Sequence, residues 1–189
     1  GGTNYVFTTT GRPSLCQTFA TSTAFTLSKA RAELKWFDAP ITYHIRANIT
    51  NGCDGDIIAT STNDIDTATL TNSFTAQDFY FSGIDLSAST TYGLFLYSPD
   101  GYPSGFGTRI MANGIENYVS DTYLSGNLFQ CGPATPTGCS DMSSPPTYWG
   151  DLLFSVYSGN INGVSFKIPM NTTTTADFDY WLLQYNFAD

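Results

Sequence analysis

YWGDLLFSVYSG, residues 148–159, is the stretch on which the fold class turns. From Leu152 the side chains alternate, with Leu152, Phe154 and Val156 on one side and Leu153, Ser155 and Tyr157 on the other. A period of two belongs to a strand, so one set faces a core and the other faces outward. Gly150-Asp151 opens the run and Ser158-Gly159 closes it, which is turn chemistry at both ends.

The same grammar recurs on both sides of this stretch. Before it come NYVFTTT (4–10), LCQTFAT (15–21), AFTLSKARAELKWF (24–37), ITYHIRANIT (41–50), IIATST (57–62), NSFTAQDFYFSG (72–83), TTYGLFLYS (90–98), TRIMAN (108–113) and NYVSDTYLSG (117–126). After it come GVSFKIPM (163–170) and DYWLLQYNF (179–187). Asn51-Gly52, Asp54-Gly55, Asp100-Gly101 and Asn113-Gly114 punctuate them. Only LSKARAELKW has helical propensity, and its alternation of Leu27, Lys29, Arg31, Glu33 and Lys35 against Ser28, Ala30, Ala32, Leu34 and Trp36 suits a half-wet strand. Short strands at regular spacing predict an all-β chain: an antiparallel β-sandwich, jelly-roll-like, with extra N- and C-terminal strands. We expect one domain over 1–189, with an arm at 1–14, a core sandwich at 15–157 and an extension at 158–189.

Composition narrows the function. Of 189 residues only 12% are charged, about half the usual share of roughly 25%. Net charge is −9, and the seven basic residues are scattered, so no basic patch exists to neutralise phosphates and nucleic acid is an unsuitable partner. No run reaches the 18 or so apolar residues of a membrane span. The chain begins with glycine and shows no signal peptide, which fits a processed mature form or an excised domain.

The four cysteines, Cys16, Cys53, Cys131 and Cys139, allow three pairings. CGPATPTGC (131–139) is a short Pro/Gly loop with little reason to hold its own shape, so Cys131–Cys139 is the favoured bridge and Cys16–Cys53 follows by elimination. Two disulfides imply an oxidising location: extracellular, cell surface or virion. Zinc does not fit, because no CxxC occurs and the single histidine is remote in sequence.

Residues 17–157 resemble the choice-of-anchor R β-sandwich domain of bacterial secreted or anchored proteins and phage structural proteins. The resemblance runs through Gln17-Thr18-Phe19, Tyr43-His44-Ile45-Arg46-Ala47-Asn48 and Gly55-Asp56-Ile57-Ile58-Ala59-Thr60-Ser61. It continues through Phe79-Tyr80-Phe81 with Leu86-Ser87-Ala88-Ser89-Thr90-Thr91-Tyr92, and closes on Gly150-Asp151-Leu152-Leu153-Phe154-Ser155-Val156-Tyr157. Ser89 stands where that pattern carries glycine. The resemblance implies a non-catalytic structural or adhesive module and transfers no catalytic residue.

The residues themselves also point away from catalysis. His44, the only histidine, shares a face with Thr42, Arg46 and Asn48 and has no evident nucleophile to serve. G-x-S-x-G, HExxH and the P-loop do not occur. Most acids sit in turn-like sequence; Asp151, beside Trp149, comes nearest to a carboxylic acid in an apolar pocket, and its plainer reading is a turn residue opening a strand. We therefore expect no enzyme and no catalytic residue.

Three binding chemistries remain. Asn51, Asp54 and Asp56, with Asn63, Asp64 and Asp66 nearby, are oxygen donors of the kind calcium takes, although ordinary turns use the same residues; no other cofactor is expected. Tyr148, Trp149 and Trp36 could stack on a glycan. Asn48-Ile49-Thr50 and Asn171-Thr172-Thr173 match the N-glycosylation pattern.

The ends of the chain suggest self-association. Tyr5 and Phe7 lie in an apolar N-terminal strand, and Trp181, Leu183, Tyr185 and Phe187 form one face of the last run. Edge strands normally carry lysine, proline or bulges, and the chain has only three lysines. The expected function is a non-catalytic extracellular subunit that assembles with copies of itself, as in a surface filament, sheath or virion. The alternative is a carbohydrate- or receptor-binding adhesion module whose partners are cell-surface glycans.

Overall fold

The computed structural model describes residues 2–7, 14–36, 43–101, 110–115, 126–132, 136–142, 151–159 and 165–169. Thirteen strands and one 3-10 turn, Thr67–Thr69, lie among them, with no α-helix. The strands are β1 (Gly2–Phe7), β2 (Ser14–Ala20), β3 (Phe25–Trp36), β4 (His44–Thr50), β5 (Ile57–Thr60), β6 (Ile65–Asp66), β7 (Thr75–Leu86), β8 (Thr91–Tyr97), β9 (Ile110–Ile115), β10 (Leu128–Cys131), β11 (Ser140–Asp141), β12 (Phe154–Gly159) and β13 (Ser165–Pro169).

Four antiparallel pairings nest around one turn at residues 51–56. Asn48 pairs with Thr60, Lys29 with Tyr80, Leu15 with Leu96 and Gly2 with Ile115. The pairs fall alternately in the two sheets: β4:β5 in one, β3:β7 in the other, then β2:β8 and β1:β9. A long two-stranded ribbon rolled into a sandwich has this nesting, which is the jelly-roll arrangement expected from sequence. One sheet runs β1-β9-β3-β12-β13 with β7 on β3; the other runs β11-β10-β2-β8-β4-β5 with β6 on β4. The stretch at 148–159 supplies β12, paired with β3, and β13 follows it as an added strand.

The core fills the space between the sheets with Leu27, Ala30, Ala32 and Leu34 of β3, Phe79 and Phe81 of β7, Phe154 and Val156 of β12, Phe19 of β2, Ile45 and Ile49 of β4, and Leu94 and Leu96 of β8. Each large side chain so buried contributes on the order of 1.5–3 kcal/mol. The parity of β3 changes once, because the register with β7 slips between Leu27 and Lys29. Gly83, at φ 76°, sits where β7 makes that bulge, a conformation in which a Cβ would be strained.

A second apolar cluster lies apart from the main core. Cys16, Phe95, Tyr97, Cys131 and Cys53 are buried together, with Phe129 and Cys139 against them. Both expected disulfides are present, Cys16–Cys53 and Cys131–Cys139. They tie the turn at 51–56 and the loop at 132–139 to this sheet, and Cys139 donates its main-chain N–H to Asp54 Oδ1 at 2.9 Å. Gly93 is required beneath them: a Cβ there would lie 2.4 Å from Thr50 Oγ1 and 2.7 Å from Cys16 Sγ.

Some elements departed from expectation. β6, β10 and β11 were not anticipated; the first and last are two residues long, too short for a period to show. Asn48 does not share solvent with His44 and Arg46 but is 1% exposed: it stands opposite Phe95, on the part of the face where the second buried cluster lies. The runs at 179–187 and most of 117–126 lie outside the described residues.

Candidate functional site

The functional candidate is the set of sheet edges, since the expected activity is strand-mediated contact. Each edge can be judged by how its sequence guards unpaired main-chain groups. β6 and β11 are two residues each. β5 is four residues and carries a register shift against β4, which leaves Ile57 and Ile58 exposed on consecutive positions. β7 is plugged from the side: Tyr80 donates its N–H to Asn63 Oδ1 at 2.8 Å, Asn63 Nδ2 donates to Asp78 O at 2.9 Å, and Thr62 N–H donates to Tyr80 O at 2.7 Å. β13 contains Lys167 and Pro169.

β1 differs from all of these. Its six residues, GTNYVF, hold no charge and no proline, and its register with β9 is unbroken from Gly2↔Ile115 to Phe7↔Ile110. It ends the strand order of its sheet. Tyr5 and Phe7 sit at register positions opposite Ala112, a core residue, and Ile110. Among the described residues no strand pairs with the other side of β1, so what it offers a neighbour is its main-chain edge. Trp181, Leu183, Tyr185 and Phe187, the other assembly candidates, lie outside the described residues.

Of the donors considered for calcium, Asp54, Asn63, Asp64 and Asp66 have side-chain partners within the fold, and a main-chain bond closes the turn that carries Asn51 and Asp56. Asp54 Oδ1 accepts from Cys139 N–H, and Asp56 closes the turn by accepting Asn51 N–H on its main-chain oxygen. Asn63 plugs β7, Asp64 grips Arg46 with two bonds of 2.6 Å, and Asp66 caps the 3-10 turn by accepting Ala68 N–H. Among the described residues no three His, Cys, Asp or Glu side chains come together as a metal site.

Of the glycan-stacking candidates, Trp36 packs against the core and donates its indole N–H to Leu70 O at 3.0 Å. Tyr148 and Trp149 lie outside the described residues. The outer face around β3 is polar but internally neutralised. Arg31 binds both oxygens of Asp78, at 2.5 and 2.8 Å, and Lys29 lies 4.1 Å from the centre of the Tyr157 ring. The Arg31 guanidinium holds the Asp78 carboxyl below the usual carboxylate range.

Two groups weighed for acid–base chemistry have other partners. His44 is half-exposed and bonds Asp100 Oδ2 through Nδ1 at 2.7 Å; that bond raises the His44 pKa and lowers that of Asp100. Asp151 stands just ahead of β12, where a strand-opening residue was expected, and it is buried. It is 4% exposed, and its Oδ1 accepts from Gln17 Nε2 at 2.8 Å, while Gln17 Oε1 accepts Leu152 N–H at 2.8 Å. Sequence gave no signal for this bridge, because a polar Gln in an apolar strand does not name its partner.

Comparison of the chain with protein-family models, with curated proteins and with solved structures finds no match in any of the three.

Proposed function

We propose that this chain is a non-catalytic extracellular structural subunit that assembles with copies of itself through strand-to-strand contacts, as a component of a surface filament, sheath or virion. The observation that carries the reading is the β1 edge, uncharged and unbroken in a sandwich whose other described edges are short, bulged, plugged or marked by lysine and proline. An exposed strand edge recruits another strand through main-chain hydrogen bonds. Two disulfides and the absence, among the described residues, of a helix able to cross a membrane are compatible with life outside the cell. The resemblance over residues 17–157 points the same way. The C-terminal face of Trp181, Leu183, Tyr185 and Phe187 is the second contact in this proposal, since leaving it in water would forgo about 1.5–3 kcal/mol per large side chain.

Electron microscopy of the native material tests the reading. Ordered polymers or particles are expected. Monodisperse single chains that bind a polysaccharide column would replace it with the adhesion-module alternative.

A further inference from the structure

The N-glycosylation pattern Asn48-Ile49-Thr50 falls on β4, between β8 and the edge strand β5. Both groups that define the pattern, the asparagine amide and the hydroxyl two residues on, are sealed. Asn48 is 1% exposed, with Phe95 of β8 opposite it on one side and Thr60 of β5 on the other. Thr50 is fully buried, and its hydroxyl donates to Gly52 O within the turn that Cys53 fastens to Cys16. The tight approach of Gly93 to Thr50 and Cys16 leaves no slack in that corner.

A glycan is a large, hydrated group that must leave its asparagine directly into solvent. At Asn48 the first sugar would have to occupy space filled by β5, β8 and the disulfide-bonded turn. Neither the nitrogen nor the oxygen of the amide has a protein hydrogen-bond partner. An amide buried without a protein partner lowers stability, so an apolar side chain of similar size should be accepted in its place.

We infer that Asn48 is a closed modification site: the folded chain carries no glycan there, and a glycan added before folding prevents β4 from taking its place between β5 and β8. The chain therefore requires an oxidising compartment, for its disulfides, in which this sequon escapes transfer. This inference is independent of the assembly reading, since a monomer would obey it equally.

The test compares production in a eukaryotic secretory cell with production in a bacterial periplasm. Site occupancy is read by peptide mapping, with Asn171-Thr172-Thr173 as the internal reference for transferase activity. Secreted, disulfide-complete chain should be unoccupied at Asn48, with any Asn48 glycoform confined to the retained, misfolded fraction. Blocking glycan-precursor synthesis should then leave the secreted yield equal or higher. Asn48→Val, which removes both the sequon and the partnerless amide, should fold in both hosts and match the yield of wild type made without glycan. Secreted protein with both disulfides and a glycan on Asn48 would overturn the inference, as would failure of periplasmic Asn48→Val to fold.

Discussion

Gln17 and Asp151, 134 residues apart, are joined by a buried hydrogen bond of 2.8 Å from the Gln17 amide to the Asp151 carboxylate. The same amide accepts Leu152 N–H with its oxygen and donates to Thr18 O at 3.2 Å, so one side chain links β2 to the entry of β12. Gln17 is fully buried, and an unmatched polar group at such depth is costly. Replacing Gln17 with Ala should destabilise the fold by about 2–3 kcal/mol in urea melts, combining a lost bond with a small cavity. Gln17→Glu should be worse at neutral pH than in mild acid, because it sets a second carboxylate beside Asp151. A Gln17→Ala melt that overlays wild type would remove the bridge from the account.

Ser89 adopts φ 55°, the left-handed region that favours glycine, at the turn between β7 and β8. Its N–H is held by Thr21 O at 2.8 Å, so the backbone is pinned there whatever the side chain. Ser89→Gly should stabilise the protein by up to about 1 kcal/mol, read as a higher melting temperature with an unchanged circular dichroism spectrum. A lower melting temperature would show that the serine side chain supports the turn.

How far the sequence could be read is clearest at two places. The alternation in β3 and β12 was legible because each has one face in the core and one in water, and a period of two survives translation into burial. Asn48 was misplaced because its face of β4 is wet at His44 and Arg46 and becomes dry where the disulfide-bonded turn folds over it. The disulfide that pins this turn reaches Cys16, and Phe95 stands opposite Asn48; both are distant in sequence, as is the partner in the Gln17–Asp151 bond, and no local pattern reports them. The disulfides were legible for the opposite reason, since a nine-residue Pro/Gly loop pairs its own ends. The plug of β7 by Asn63 was hidden because Asn-Asp in a turn looks the same whether it holds an ion, caps a turn or guards an edge.

The two disulfides should differ in weight. Cys16–Cys53 closes a separation of 37 residues and Cys131–Cys139 one of 8. On the chain-entropy model these are worth about 4 and about 2.5 kcal/mol. The double replacement Cys16→Ala/Cys53→Ala should therefore lower stability more than Cys131→Ala/Cys139→Ala, by calorimetry. The reverse order would mean that the loop at 132–139 anchors more of the fold than its length suggests.

His44 and Asp100 set an opposed pair of pH responses. With its pKa raised by Asp100, His44 contributes stability that is fully present below its ordinary value of 6.5 and is lost as pH rises through the higher folded value. Asp100, lowered by His44, contributes above 3.8 and loses that contribution as pH falls through its depressed value. Both groups are exposed and screened, so the sharp readout is proton NMR of the imidazole. His44 should titrate above the ordinary range in wild type and return toward it in Asp100→Asn. An identical titration in both would break the assignment.

Sedimentation of the intact chain against a chain lacking residues 171–189, each over a range of concentrations, tests the central claim most directly. The intact chain should grow into species far larger than its 20.5 kDa, and the shortened chain should remain folded and small. An intact chain that sediments as a 20.5 kDa monomer at every concentration would contradict self-assembly, and undiminished growth of the shortened chain would contradict the tail as a contact.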